Sequence, residues 1–117
     1  MRRFAEVKKA RVVVAEDDGV LAGFYILHLE SYEWGNAAYI VTLDVAKDYR
    51  RKGLGKRLIR EIETQSVVAS CDVIALHVFT ENTAAIRFYE GEGFVFSQRI
   101  EGFYGEGIDA FLYQKAL

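Results

Sequence analysis

The sequence has 117 residues, 51% of them hydrophobic and 27% charged, which suits one packed domain and excludes a disordered or collagen-like chain. With 15 lysines and arginines against 17 aspartates and glutamates, the net charge of -2 argues against a protein that binds nucleic acid through bulk positive charge. The single cysteine cannot form an internal disulfide, no cysteine or histidine pair has zinc spacing, and no stretch is long and apolar enough to span a membrane. We therefore expect one cytoplasmic domain over residues 1–117, with no metal site.

The first half of the chain predicts three strands. Residues 11–15 and 20–29 are runs of β-branched and aromatic residues on either side of Glu-Asp-Asp-Gly, and Asp-Gly between such runs favours an antiparallel hairpin. A third run, residues 37–45, follows the turn-like residues 33–36. In front of these strands, residues 2–9 are expected to form a helical turn or two.

In the second half, the hydrophobic period changes from two residues to about 3.6. One set of apolar side chains recurs at helical spacing: Leu54, Leu58, Ile59 and Ile62. Residues 72–79 are again strand-like, and Asn82 can cap a short helix that Gly91 and Gly93 close. Residues 94–100 and 108–113 predict a last strand pair around a glycine-rich loop.

The order strands, helix, strand, helix, strands predicts a mixed α/β sheet. Its two helices are expected to be crossovers between strands of that sheet.

Residues 48–56, between the third strand and the first helix, are suited to hold an anion. Gly53 and Gly55 allow backbone N–H groups to approach a ligand closely, and the helix that follows contributes its positive N-terminal end. Five cations fall within eight residues: Arg50, Arg51, Lys52, Lys56 and Arg57. A solvated, charged start of a helix is the alternative interpretation. The loop lacks the Walker pattern and the third glycine of a Rossmann fingerprint, which argues against a nucleoside triphosphate.

This loop matches the Arg-x-x-Gly-x-Gly motif with which the GNAT superfamily of acetyltransferases holds the pyrophosphate of acetyl-CoA. Residues 82–94 resemble the same superfamily's Asn-x-x-Ala-x-x-Phe-Tyr-x-x-x-Gly-Phe segment. The two motifs cover about residues 39–94, and on them the sequence is identified as a member of the GNAT superfamily. The resemblance implies a mostly antiparallel mixed sheet with two crossover helices, and acetyl-CoA as the acetyl donor.

Members of the superfamily usually begin with a strand and two helices, and this chain has room for only the tail of that region. We therefore expect a fold shortened at its N-terminus, with an exposed sheet edge at residues 11–15. A second copy of the chain could pair at that edge, which predicts a homodimer.

Within the superfamily, several segments resemble the acetyltransferases of protein N-termini, especially those that act on the initiator methionine: residues 39–43, 49–53, 76–78 and the tyrosine-bearing loop 102–110. The resemblance implies direct transfer of the acetyl group, in a ternary complex, to the α-amino group of a protein or peptide. A small-molecule amine is the alternative acceptor. A module that binds acetyl-CoA or CoA without catalysis is a second alternative.

By the same resemblance, Tyr39 and His77 remove the proton of the amine and Tyr89 protonates the departing thiolate. Asp44 is a competing base, because some members carry a carboxylate on this strand. Without the resemblance, His77 would be read as a packing residue, and His28 is expected to be structural.

The remaining predicted site residues fall into two groups. Those expected to bind acetyl-CoA are Leu43, Asp44, Val45, Arg50, Arg51, Lys52, Gly53, Leu54, Gly55, Lys56, Asn82, Ala85 and Tyr89. Those expected to bind the acceptor are Tyr39, Val41, Phe103 and Tyr104. For Asn82, helix capping explains the residue equally well.

Overall fold

The computed structural model describes the backbone of residues 6–117 and the side chains from residue 10 onward. Its elements are β1 (Glu6–Asp17), β2 (Val20–Tyr32), β3 (Gly35–Val45), a 3₁₀ turn (Lys47–Tyr49), α1 (Leu54–Val68), β4 (Cys71–Phe79), α2 (Thr83–Gly91), β5 (Val95–Gly105) and β6 (Ile108–Ala116). This order confirms the predicted succession of strands and helices.

The start of the chain differs from the prediction. Residues 6–9 belong to β1 and are not helical, because the backbone here pairs with β2, as in the pair Glu6 and Ser31. Pairing with a neighbouring strand outweighs the local helical preference of a short charged segment. Residues 2–5, which belong to the same prediction, lie outside the described residues.

The six strands form one mixed sheet in the order β1-β2-β3-β4-β6-β5. Among the described strands, only the β3–β4 pair is parallel, and α1 is the crossover between these two strands. Because β6 lies between β4 and β5, α2 crosses over it, so both helices are crossovers as predicted. Within residues 6–117, β1 pairs with β2 alone and lies at an edge of the sheet. The homodimer expected at this edge stays a prediction, which light scattering would test.

The predicted Asp-Gly hairpin joins β1 to β2. Asp18 and Gly19 both have positive φ, 49° and 81°, as the two central residues of a type I′ turn require. Asp17 and Val20 pair directly across this turn.

One face of the sheet carries the hydrophobic core. Alternate residues of each strand point to this face, where they pack against the apolar sides of α1 and α2. The fully buried side chains include Tyr25, Leu27, Ile59, Ile62, Ile74 and Leu76. By the same alternation, Tyr39 and His77 lie on the opposite face, because their neighbours Ile40 and Leu76 are in the core. Among the described residues, no helix is long and apolar enough to cross a membrane.

β3 and β4 separate partway along their length. Their pairing runs from Asn36–Cys71 to Ile40–Leu76 and stops there, while β3 continues beside β2 and β4 continues beside β6. The register between β2 and β3 skips Val41, which is the extra residue of a β-bulge. A bulge bends its strand and increases its twist, so the two strands diverge and leave a cleft between their ends.

Candidate active site

The cleft between the diverging ends of β3 and β4 holds a cavity of about 270 Å³. The predicted site residues that line it are Val41, Leu43, Asp44, His77, Asn82, Ala85, Tyr89 and Tyr104. They come from both strands, from α2 and its N-cap, and from the end of β5. A second cavity, of about 240 Å³, lies where Arg11, Ser31 and Cys71 meet and contains none of the predicted site residues. Of these two cavities, the first is therefore the one at which predicted site residues come together.

The backbone of β3 forms one wall of the cleft. Residues 42–45 pair with β2 on one side, and their other side faces the gap that β4 has left. An unpaired strand edge can bind an extended ligand that carries amide groups, as an added strand would. At the end of this edge, the Nε–H of Arg50 donates a hydrogen bond of 2.9 Å to the carbonyl of Val45, which ties the anion loop to the strand.

The loop itself has the geometry of an anion site. Gly53 is the N-cap of α1 with φ of 82°, and a Cβ atom added to it would have no other heavy atom within 4 Å. Open space therefore lies in front of the positive end of a 15-residue helix. Gly55, two residues further along, faces inward: a Cβ there would lie 3.4 Å from the ring of Phe88. This glycine allows α2 to pack closely against the start of α1.

The predicted cations of the loop are exposed around this space. Lys52 lies over the ring of Tyr49, at 5.8 Å from the centroid, and the Nζ of Lys56 lies 3.8 Å from a carboxylate oxygen of Glu92. Tyr49 in turn donates a hydrogen bond to Asp17, which anchors the turn in front of the loop. The loop is thus held in place while its cations stay exposed to solvent, although Lys56 is also paired with Glu92.

Tyr39 and His77 form a hydrogen-bonded pair on the face opposite the helices. The hydroxyl oxygen of Tyr39 and Nδ1 of His77 are 2.7 Å apart. Burial raises the pKa of Tyr39, with further contributions from Tyr104 and Glu30, and burial lowers the pKa of His77 from 6.5. At neutral pH the pair therefore consists of a protonated phenol and an uncharged imidazole, which can accept a proton.

Tyr89 is buried in α2 at the cleft. Burial raises its pKa to about 12, and the carboxylate of Asp44 and the hydroxyl of Tyr104 act in the same direction. The Tyr89 ring packs edge-on against Phe94, with centroids 5.6 Å apart. Its hydroxyl keeps its proton at any physiological pH and can serve as an acid.

Two other predicted residues have visible local partners. Asp44 is exposed, and one of its carboxylate oxygens accepts a hydrogen bond of 2.8 Å from the hydroxyl of Thr42. Asn82 caps α2, because its side-chain oxygen accepts a hydrogen bond of 3.1 Å from the backbone N–H of Ala85. Capping, the structural alternative for Asn82, is therefore confirmed, and its contact with the acetyl donor stays a prediction.

The aromatic segment at the end of β5 covers His77. The ring of Phe103 stacks on the imidazole with centroids 4.0 Å apart and planes at 15°, and the ring of Tyr104 meets that of Phe103 edge-on. Phe103 and Tyr104 are predicted acceptor residues, but their sequence did not indicate the contact of Phe103 with His77. Nor did it indicate the role of Asp109, which accepts hydrogen bonds from Gly102 and Arg99 next to this segment. No sequence signal indicates these contacts, because they depend on how β5 lies beside β6 and β4.

Comparison with known proteins places this geometry in a family. The model of the acetyltransferase (GNAT) family matches residues 1–94. An uncharacterized N-acetyltransferase of Methanocaldococcus jannaschii is 36% identical over 103 residues, which cover 87% of this chain and 64% of that protein. The chain therefore spans less than two thirds of that relative's length.

Two solved structures of proteins from Arabidopsis thaliana are also similar. Naa50 in complex with the bisubstrate analogue CoA-Ac-MVNAL has 31% sequence identity and a TM-score of 0.81, over 91% of this chain and 72% of that one. NAA60 in complex with acetyl-CoA has 30% identity and a TM-score of 0.77, over 87% of this chain and 71% of that one.

Proposed function

We propose, because this chain belongs to the GNAT family of acetyltransferases, that it transfers the acetyl group of acetyl-CoA to the α-amino group of a protein or peptide N-terminus. The observation that carries the proposal is the 2.7 Å hydrogen bond between Tyr39 and His77 beside a cleft that also contains Tyr89. We include in the proposal that residues 1–117 act as one domain and that the protein works in the cytoplasm.

The cleft and the loop fit acetyl-CoA. Residues 43–45 offer an unpaired strand edge for the amides of the pantetheine arm, and the open space at Gly53 suits the pyrophosphate. Arg50, Arg51, Lys52 and Lys56 surround that space with positive charge, while Asn82 and Ala85 line the cleft from α2. When bound, acetyl-CoA supplies an acetyl thioester, and the backbone N–H near Leu43 is the donor that we expect to polarise its carbonyl.

Tyr39 and His77 can remove the proton of the acceptor amine. Because the phenol of Tyr39 stays protonated, we expect it to act as a relay that takes the proton of the amine on its oxygen and gives its own proton to Nδ1 of His77. An α-amine has a pKa of about 7.7 to 8.0, against about 10.4 for lysine. A weak base of this kind is therefore suited to a protein N-terminus more than to a lysine side chain.

Tyr89 is the group that we expect to return a proton to the leaving thiolate. Tyr89 lines the same cleft from α2, and burial keeps its hydroxyl protonated. The proton that leaves the amine and the proton that the thiolate receives thus pass through different side chains.

A panel of three acceptors tests the proposal. We expect release of CoA thiol from acetyl-CoA with a peptide that begins with a free methionine. We expect none with its N-terminally blocked copy carrying an internal lysine, because the lysine ammonium holds its proton more tightly than the weak base can remove. Acetylation of the blocked peptide alone would refute the N-terminal assignment. Turnover with a polyamine alone would indicate a small-molecule acceptor, and donor binding without turnover of any amine would indicate a non-catalytic module.

The pH dependence of kcat distinguishes His77 from Asp44 as the base. Because burial places the pKa of His77 below 6.5, kcat of the parent at saturating peptide should fall as the pH is lowered below 6.5 and through this pKa. His77→Ala should lower kcat and flatten this acidic limb of the pH profile. Asp44→Asn is the matched variant, since it removes the competing carboxylate, and we expect it to keep the limb. Should Asp44→Asn abolish the limb while His77→Ala retains it, the carboxylate is the base.

A further inference from the structure

Phe103 contacts His77 although the two residues lie on different strands. The ring of Phe103 is stacked on the imidazole at 4.0 Å between centroids, while Tyr39 holds Nδ1 of the same imidazole at 2.7 Å. The imidazole is thus held at its edge by a hydrogen bond and on one face by a ring. Phe103 itself is 42% exposed, so its contact with His77 is not needed to fill the core.

The segment that carries Phe103 is fastened by Asp109. Between the pairs Ile100–Ala110 and Gly105–Ile108, β5 leaves its regular register with β6. There, one carboxylate oxygen of Asp109 accepts the backbone N–H of Gly102 at 2.8 Å, and the other accepts the guanidinium of Arg99 at 2.7 Å. These two contacts hold the pKa of Asp109 below its usual 3.8. The carboxylate is therefore ionised at neutral pH and keeps its hydrogen bonds to Gly102 and Arg99.

We propose that Phe103 is a positioning residue for His77: held in place by Asp109, its ring fixes the rotation of the imidazole against Tyr39 and shields one face of it from water. The inference rests on the proposed function, in which His77 accepts the proton of the amine. It goes beyond a role for Phe103 as a wall of the acceptor site, because it assigns an effect that is present before any acceptor binds.

The surroundings of His77 make this effect measurable. The titratable groups on the elements around it include two phenols, Tyr39 on β3 at 2.7 Å and Tyr104 on β5, whose ring meets that of Phe103. The carboxylates of this region, Glu30 and Asp44, act on Tyr39 and Tyr89 respectively. Burial alone lowers the pKa of His77. Removal of the Phe103 ring reduces that burial, so the pKa of His77 should rise toward 6.5.

The experiment compares Phe103→Ala with Phe103→Tyr, which keeps a ring that can stack. The imidazole signals of the free protein are titrated by NMR, and His28, the other of the two histidines, reports whether the fold has changed elsewhere. We expect the midpoint of His77 to rise in Phe103→Ala and to stay at the parent value in Phe103→Tyr. The acidic limb of kcat should move to higher pH by the same amount, with binding of acetyl-CoA unchanged. Asp109→Ala should move the midpoint in the same direction by less, and it replaces Phe103→Ala if that variant does not fold.

The inference is wrong if the titration midpoint of His77 is unchanged in Phe103→Ala and only the KM for the peptide is raised. Phe103 would then be a wall of the acceptor site and not a positioning residue for His77. Failure of the parent to acetylate any N-terminus would overturn the proposed function instead. The titration needs neither substrate, so the two failures are distinguishable.

Discussion

Gly53→Val is expected to abolish binding of acetyl-CoA. Gly53 has φ of 82° and faces open space at the N-terminus of α1, and a branched side chain there would occupy the position where a phosphate meets the backbone N–H groups. At a ligand concentration about 100 times Kd, binding stabilises the folded protein by about 2.7 kcal/mol, which raises the Tm of a domain of this size by about 10 °C. We expect this rise for the parent and none for the variant, measured by thermal unfolding with and without acetyl-CoA.

Backbone strain from valine is separated from loss of the site by a matched control. Gly107, in the turn between β5 and β6, has φ of 74° and also has no heavy atom within 4 Å of an added Cβ. Gly107→Val should therefore lower the Tm by a similar amount, since a left-handed conformation costs a residue of this type about 1–3 kcal/mol, yet keep the rise with acetyl-CoA. If folded Gly53→Val binds as tightly as the parent, this loop is not the pyrophosphate site.

Tyr89→Phe is expected to lower kcat by a factor of about 10² to 10⁴, the usual loss when one positioned acid is removed. The substitution deletes only the hydroxyl, so the edge-on packing against Phe94 remains and the Tm rise with acetyl-CoA should be unchanged. Because burial raises the pKa of Tyr89 to about 12, the parent should show no loss of kcat from this group between about pH 7 and pH 10.

Tyr113→Phe is the control for this prediction. Tyr113 is also buried with a pKa of about 12, but its hydroxyl donates a 2.7 Å hydrogen bond to Glu90 and does not line the cleft. Its loss should lower the free energy of unfolding by about 1 kcal/mol and leave kcat within about threefold of the parent. Equal, small effects of the two substitutions on kcat would mean that water, and not Tyr89, protonates the thiolate.

Local sequence determined the elements whose causes are themselves local. The turn at Asp18 and Gly19 requires two residues that tolerate positive φ, so its residues indicated the hairpin. The apolar spacing of α1 places Leu58, Ile59 and Ile62 on one side, which is the side buried against the sheet. Asn82 caps α2 as its residue type allows, and the glycines and cations of residues 50–56 stand at the start of α1 where an anion site needs them.

Tertiary structure decided how these elements come together, because the contacts involved join residues far apart in the sequence. Pairing with β2 made residues 6–9 a strand, against the helical prediction. The bulge at Val41 and the end of pairing at Ile40 and Leu76 open the cleft, and neither has a signal in local composition. The 2.7 Å bond between Tyr39 and His77 exists only because two parallel strands place both side chains on the same face. The stacking of Phe103 on His77 further requires that β6 insert between β4 and β5, a strand order that depends on the energy of the whole sheet and not on any one segment.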